Sequence, residues 1–202
     1  MNLILSKLYK VYRYFKKYEG ETTKAFERRK KENFFENYFK GFGLDIGYGG
    51  MKVVKNCKGI DFEDTDVQYM KGFKNSSYDF VYSSHTLEHM NDVEIAILNW
   101  KRLIKNGGFL ILYIPDRDLY EKKLDLPSQW NSDHKHFFTM YDQKDESIST
   151  IPIIPFISKK FDDLELIYEK KCKKGWNETA PHIHPTGEYS IELVYKKNSR
   201  VI

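Results

Sequence analysis

The sequence predicts an α/β protein built on a mostly parallel sheet, and three observations carry that expectation. Short apolar runs, LDIG (44–47), KGIDF (58–62), YDFVYSS (78–84) and FLILYIP (109–115), have strand length and strand composition. Between the last two lies NDVEIAILNWKRLIK (91–105), whose apolar spacing is helical. Strands that alternate with helices form βαβ units, and those strands must run parallel. The third observation is at the C-terminal end, where LELIYEKK (164–171) and YSIELVYKK (189–197) alternate in the strand manner with no convincing helix between them. They read as an antiparallel pair closing one edge.

Taken in order, MNLILSKLYKVYRYFKKYE (1–19) places Leu5, Leu8, Tyr12 and Phe15 on one helical face, with Lys10, Arg13 and Lys17 elsewhere. Lys7 and Lys10 interrupt the apolar run that a signal peptide needs, and the segment is too charged to span a bilayer. An amphipathic helix that docks on the domain is expected, with a peripheral contact to an anionic membrane as the alternative. The helical pattern continues over 21–40 with Thr22 or Thr23 as N-cap, and Gly41 and Gly43 end it. DVQYM (66–70) has the length of a further strand. Asn91 and Glu94 stand in capping-box spacing before the next helix, and Asn106-Gly107-Gly108 stops it. FLILYIP is continuous enough to be buried on both faces, as a central parallel strand must be.

Composition narrows the class. With 202 residues the chain is most economically one domain. A net charge of +4 with mixed signs does not describe a nucleic-acid binder, whose basic residues gather into a stripe. Cys57 and Cys172 lie far apart, which suits neither a disulfide framework nor a CxxC metal site, and points to a reduced, cytoplasmic protein.

The chemistry begins at LDIGYGG (44–50). Gly47 and Gly49 permit a sharp turn and close approach of a ligand at the carboxyl end of the first strand. A dinucleotide fingerprint would need a third glycine where Lys52 stands. Asp45 would also repel a pyrophosphate but welcome an ammonium group. Asp61, ending the second strand, suits a ribose diol, because a carboxylate accepts two hydrogen bonds. The expected ligand is therefore a nucleoside carrying positive charge.

In that order LDIGYGG, KGIDF, YDFVYSSHTLEHM and LIKNGGFLILYIPD resemble the class I S-adenosylmethionine-dependent methyltransferases, in the small-molecule branch marked by SSHxLEH and LKxGGxLxLxxPD, over about residues 42–116. The resemblance implies a Rossmann-like seven-stranded sheet, mostly parallel, with the last strand antiparallel and helices on both faces. It implies S-adenosylmethionine as cofactor, with Asp45, Gly47, Tyr48 and Gly49 at its methionine end and Asp61 and Phe62 at its ribose. Ser83, Ser84 and His85 would lie beside the methionine part or the transferred methyl. Relatives often hold the adenine amino group with an Asp after the third strand. Here Tyr69 or Met70 stands at the matching position, so no adenine contact is assigned.

The implied organisation is an N-terminal helical extension (1–40), a cofactor half (41–116), an acceptor-binding insert (117–150) and a C-terminal helix and hairpin (151–202). An oxygen acceptor needs its proton removed, and candidate groups should come from loops at the carboxyl edge of the sheet. His85 is one. The insert supplies Asp133, His134 and His136 beside Trp130 and Asn131, a mixture able to stack on a sugar and to carry a base. His182 and His184 form a second cluster, but no residue is assigned to a metal. Mg2+ held by Asp116 or Asp133 is the variant that some sugar methyltransferases suggest. PSxWNxDHKH and TGExxIE resemble chains of bacterial surface-glycan biosynthesis, which implies O-methylation of a sugar or nucleotide sugar. The alternatives are N-methylation of a small amine, a non-catalytic regulator that binds the cofactor, and RNA methylation. No nucleic-acid partner is expected, and a homodimer is open.

Overall fold

The computed structural model describes residues 20–145, 147–177, 180 and 182–199. The amphipathic segment 1–19 lies outside the described residues. Residues 21–40 form three short helical pieces, α1 (Glu21–Lys24), α2 (Phe26–Lys31) and α3 (Phe34–Tyr38), instead of one helix. Gly20 occupies the N-cap, and Thr22 and Thr23 lie inside the first turn. The sheet strands are β1 (Gly43–Ile46), β2 (Cys57–Ile60), β3 (Tyr78–Ser84), β4 (Ile104–Pro115), β7 (Leu164–Cys172) and β8 (Ser190–Lys197). They lie in the order β2-β1-β3-β4-β8-β7. The first four are parallel, and β8 runs antiparallel between β4 and β7. The last strand is therefore inserted antiparallel, as expected, in a sheet that has six strands among the described residues where seven were expected. The insert adds a separate pair, β5 (Phe137–Thr139) and β6 (Thr150–Pro152).

The missing strand is DVQYM. Its backbone turns instead: Asp66 Oδ1 accepts Gln68 N–H, Met70 N–H reaches back to Asp66 O, and Met70 sits at φ +51°. Helix α4 (Val93–Leu103) takes the carbonyls that a sheet neighbour would have used. The Trp100 indole N–H donates to Val67 O at 2.7 Å, and Arg102 donates to Met70 O at 2.7 Å and Phe73 O at 2.8 Å. Its N-cap is Asp92, whose carboxylate accepts Ile95 N–H, one residue beyond the capping-box position of Asn91.

Alternate residues of the buried strands face two cores. On one face Leu44, Ile46, Val81, Leu110 and Leu112 pack with Trp100 and Ile97 of α4 and with Ile153 and Ile157 of α6 (Ile153–Lys160). On the other, Phe80, Tyr82, Ile111 and Tyr113 meet Ala25, Phe34 and Phe39 from the N-terminal helices. The loop between β1 and β2 has no helix, so residues 20–39 take the place of one. A buried ionic network fixes them. Arg28 donates to Glu188 at 2.8 Å and Glu192 at 2.7 Å, and Arg29 donates to Glu192 at 2.6 Å. Burial works against these guanidinium charges, yet the carboxylates prevail and both pKa values stay raised. No helix among the described residues is long and apolar enough to cross a membrane.

Candidate active site

A cleft of about 520 Å3 opens at the carboxyl ends of β1, β2 and β3. Gly47, Gly49, Asp61, Phe62, Val67, His85, Thr86, His89, Met90, Asp133 and Lys135 line it. The size is ordinary for a small-molecule site, roughly 300–1,000 Å3. A larger depression of about 680 Å3 beside Tyr48 and Met51–Val54 offers neither a carboxylate nor a histidine. The cleft is the better candidate because convergent polar groups, not volume, identify a site.

The glycine loop is shaped by its neighbours. Gly47 sits at φ +73°, and a Cβ there would collide with Thr86 Oγ1. Thr86 cannot easily yield, since its hydroxyl bonds Ser84 O at 3.0 Å. Asp61 Oδ2 accepts Gly49 N–H at 3.1 Å and Oδ1 accepts Phe62 N–H at 3.0 Å, so the carboxylate ties the loop to the end of β2. Phe62 is 68% exposed and offers a bare aromatic face to a base or ribose. Asp45, expected at the ammonium group, does not line the cleft. It is buried and accepts Val53 N–H at 2.7 Å, and burial pushes its carboxyl up to about 7. Its role in this arrangement is to hold the chain after the loop. The Tyr48 ring likewise turns away, onto Gly59. Ser83 and Ser84 are buried at the end of β3, behind the lining residues.

A shallower groove of about 350 Å3 continues the cleft past Phe62, Val67, His89 and Met90, and adds Thr65, Asp66 and Gln68. Tyr69 and Met70, to which no adenine contact is assigned, do not line this groove; its polar residues are Thr65, Asp66, Gln68, His89 and Asn91. The turn that replaces the third strand moves Asp66 and Gln68 to the edge. A strand reading of DVQYM hid Asp66.

At the other end stands His85, at φ +48°, a conformation that costs energy for a side chain with a Cβ and recurs at functional sites. Nε2 of His85 lies 2.8 Å from Ser190 Oγ and 3.8 Å from Glu21 Oε2, and Nδ1 lies 3.7 Å from Glu88 Oε1. Burial pushes its pKa down to about 4 and keeps the ring neutral. Glu21 is brought there by α1. Burial tends to raise its pKa, but His85 and Lys24 prevail and hold it below the usual value.

The insert candidates separate. His134 is buried, with Nδ1 3.0 Å from Glu121 Oε1 and Nε2 3.9 Å from Glu88 Oε1. Asp133 lines the cleft by exposed side chain and accepts His89 Nδ1–H on its carbonyl at 3.2 Å. His136 bonds Met90 O at 3.1 Å and does not reach the cleft. His184 bonds Pro185 O and meets Tyr120, Trp130 and Tyr189 edge-on. Asp116 caps α5 (Arg117–Tyr120) and pairs with Lys171, which occupies its carboxylate. Glu88 and Glu121 were missed. Glu88 could have been found from HTLEH, where it follows His85 by three residues; Glu121 has no local signal, because only folding brings it to His134.

Residues 23–112 match the family described as a methyltransferase domain, and no curated protein matches the chain. Among solved structures, an S-adenosylmethionine-dependent methyltransferase from Clostridium acetobutylicum aligns with TM-score 0.57 and 11% identity, covering 97% of this chain and 100% of that one. A chain of the Haloferax volcanii complex containing the Trm112 methyltransferase activator aligns with TM-score 0.53 and 10% identity, over 90% of this chain and 95% of that one. The CurJ carbon methyltransferase gives 0.53 and 12%, with 90% of this chain spanning 56% of that chain. At such identities the likeness is one of fold. The family match holds β1 to most of β4 and the glycine loop, and with the antiparallel last strand the chain has the Rossmann-like methyltransferase fold.

Proposed function

We propose that the protein transfers a methyl group from S-adenosylmethionine to a hydroxyl of a small polar acceptor, a sugar or nucleotide sugar of surface-glycan biosynthesis. The observation that carries this reading is one continuous cleft joining a glycine loop, Asp61 and the Phe62 face to His85 and Asp133. Asp61 and Phe62 would hold the ribose, Asp66 or Gln68 the adenine and the glycine loop the methionine end of the cofactor. Bound S-adenosylmethionine would supply the methyl carbon to the acceptor oxygen, the carbon–sulfur electron pair staying on sulfur, and His85 would take the acceptor proton. That ring is neutral and so able to receive it, and Glu21 and Glu88 flank the imidazolium that forms. Positioning supplies most of the acceleration, since the donor is intrinsically reactive. The insert brings Asp133 and Lys135 to the cleft, and these groups favour a polar acceptor.

The test is mass spectrometry of products formed from S-adenosylmethionine and a pool of nucleotide sugars. A methylated nucleotide sugar that disappears with Asp61→Ala supports both halves. A methylated amine instead would overturn the acceptor class. Failure of the wild-type protein to bind S-adenosylhomocysteine would overturn the cofactor.

A further inference from the structure

Three electron-rich atoms face one another beside the cleft. Glu88 and His89 stand on the 3-10 turn Leu87–His89 that follows β3, and His134 arrives from the insert. The insert is clamped there by Lys135 N–H donating to Glu88 O at 2.8 Å. His89 Nδ1 faces the Asp133 carbonyl, which can only accept, so the proton is on Nδ1 and the Nε2 lone pair is free. His134 Nδ1 faces the Glu121 carboxylate, which leaves its Nε2 lone pair free in the same way. Both Nε2 atoms point at Glu88 Oε1, each from 3.9 Å. Glu88 is fully buried, and neither of its oxygens has a hydrogen-bond partner.

His85 Nδ1, at 3.7 Å from Glu88 Oε1, is too far to hydrogen-bond it, so the arrangement is repulsive unless a cation lies between the three groups. A buried carboxylate without a donor costs several kcal/mol, roughly, and Glu121 adds a second carboxylate behind His134. A proton could neutralise Glu88, but it would answer one of three lone-pair sites. We infer that Glu88, His89 and His134 hold a divalent transition-metal ion of the Zn2+ class. The three donor atoms all lie within 4.8 Å of one another. Two histidines and one glutamate are a known donor set for open zinc sites, in which roughly 2.0–2.2 Å bonds place donors about 3.3 Å apart. Closing 3.9 Å, and at most 4.8 Å for the widest pair, to that spacing takes shifts of roughly 0.6–1.5 Å in the side chains. The second shell is already built: a carbonyl on His89 and a carboxylate on His134 fix both tautomers, as outer partners of metal-bound histidines do. His89 is the exposed side of the cluster and lines the cleft, so the remaining coordination positions open there. The inference stands on this cluster alone and does not depend on methyl transfer.

The test is a titration of EDTA-treated full-length protein with Co2+, read by its visible d–d absorption, and with Zn2+ by calorimetry. About one ion per chain is expected, with bands of low coordination number that Zn2+ abolishes. Glu88→Gln and His134→Ala should remove the bands. Glu121→Gln, which removes the charge behind the His134 ring and keeps an oxygen for Ser128 Oγ or Gln129 N–H, should weaken affinity about 10–100-fold. His184→Ala, outside the cluster, should leave the titration unchanged. S-adenosylhomocysteine binding and thermal unfolding of each variant separate loss of the ion from loss of the fold. Absence of Co2+ bands in wild-type protein that still binds S-adenosylhomocysteine would overturn the site. So would unaltered affinity in folded Glu88→Gln, or an equal loss in His184→Ala.

Discussion

Replacing Glu192 by alanine should be among the most damaging single changes outside the cleft. Glu192 lies on β8, opposite Tyr113 of β4, and is fully buried. Its two oxygens serve Arg29 Nε at 2.6 Å and Arg28 Nη1 at 2.7 Å. The two arginines do not suffer equally. Arg28 keeps Glu188 at 2.8 Å and Glu32 at 3.2 Å, whereas Arg29 keeps only the Tyr82 hydroxyl at 3.1 Å and the faces of three rings. Breaking one partner of a buried pair costs about 3–5 kcal/mol, and the rings around Arg29 argue for the lower end. For a chain of this size, about 3 kcal/mol lowers Tm by roughly 6–12 °C. Chemical denaturation and calorimetry of Glu192→Ala measure it. The double change Arg29→Met with Glu192→Leu removes both charges and should recover most of the loss, because an apolar pair avoids desolvation. A loss below about 1 kcal/mol in Glu192→Ala, or no recovery in the double variant, would refute the view that this network seats the N-terminal helices.

Three further outcomes follow from the geometry. Gly47→Ala puts a methyl against Thr86 Oγ1 at a positive φ, and should abolish S-adenosylhomocysteine binding while lowering stability by about 1–3 kcal/mol, read by calorimetry and urea melts. Trp100→Phe keeps the buried ring contacts but leaves Val67 O without its donor; a loss of about 1–3 kcal/mol is expected in the same melts. Asp45 has a folded pKa of about 7, above its unfolded value, so its protonated form favours the folded state at low pH. That contribution is full below pH about 4 and is lost as pH rises toward 7. Asp45→Asn, which can still accept Val53 N–H, should therefore gain stability relative to wild type at pH 8 more than at pH 4. Equal differences at the two pH values would contradict the burial argument.

Much of the cofactor half was legible because its determinants are local. A glycine turn after an apolar run, an acid at a strand end and a helix between two buried strands are written in consecutive residues, and β1 to β4, α4 and the antiparallel β8 appear where those patterns lie. The errors fall where distant side chains decided the matter. DVQYM has strand composition, but Trp100 and Arg102 of α4 take its carbonyls and fold it into a turn, which removes the seventh strand and brings Asp66 to the groove. Residues 21–40 carry one helical pattern, yet α2 is set by arginines answering carboxylates about 160 positions away on β8 and the loop before it. Asp45, beside the glycine loop, accepts Val53 N–H from behind the lining of the cleft, a contact that the local pattern does not reveal. By itself, then, the sequence determined the sheet, its direction and the place of the cleft, because hydrophobic periodicity and turn chemistry act over a few residues. Only the tertiary structure decided which polar groups face one another across that cleft. Glu88, His89, Glu121 and His134 meet through docking of the insert, and a carboxylate's partner is chosen by distance in space, which no spacing along the chain encodes.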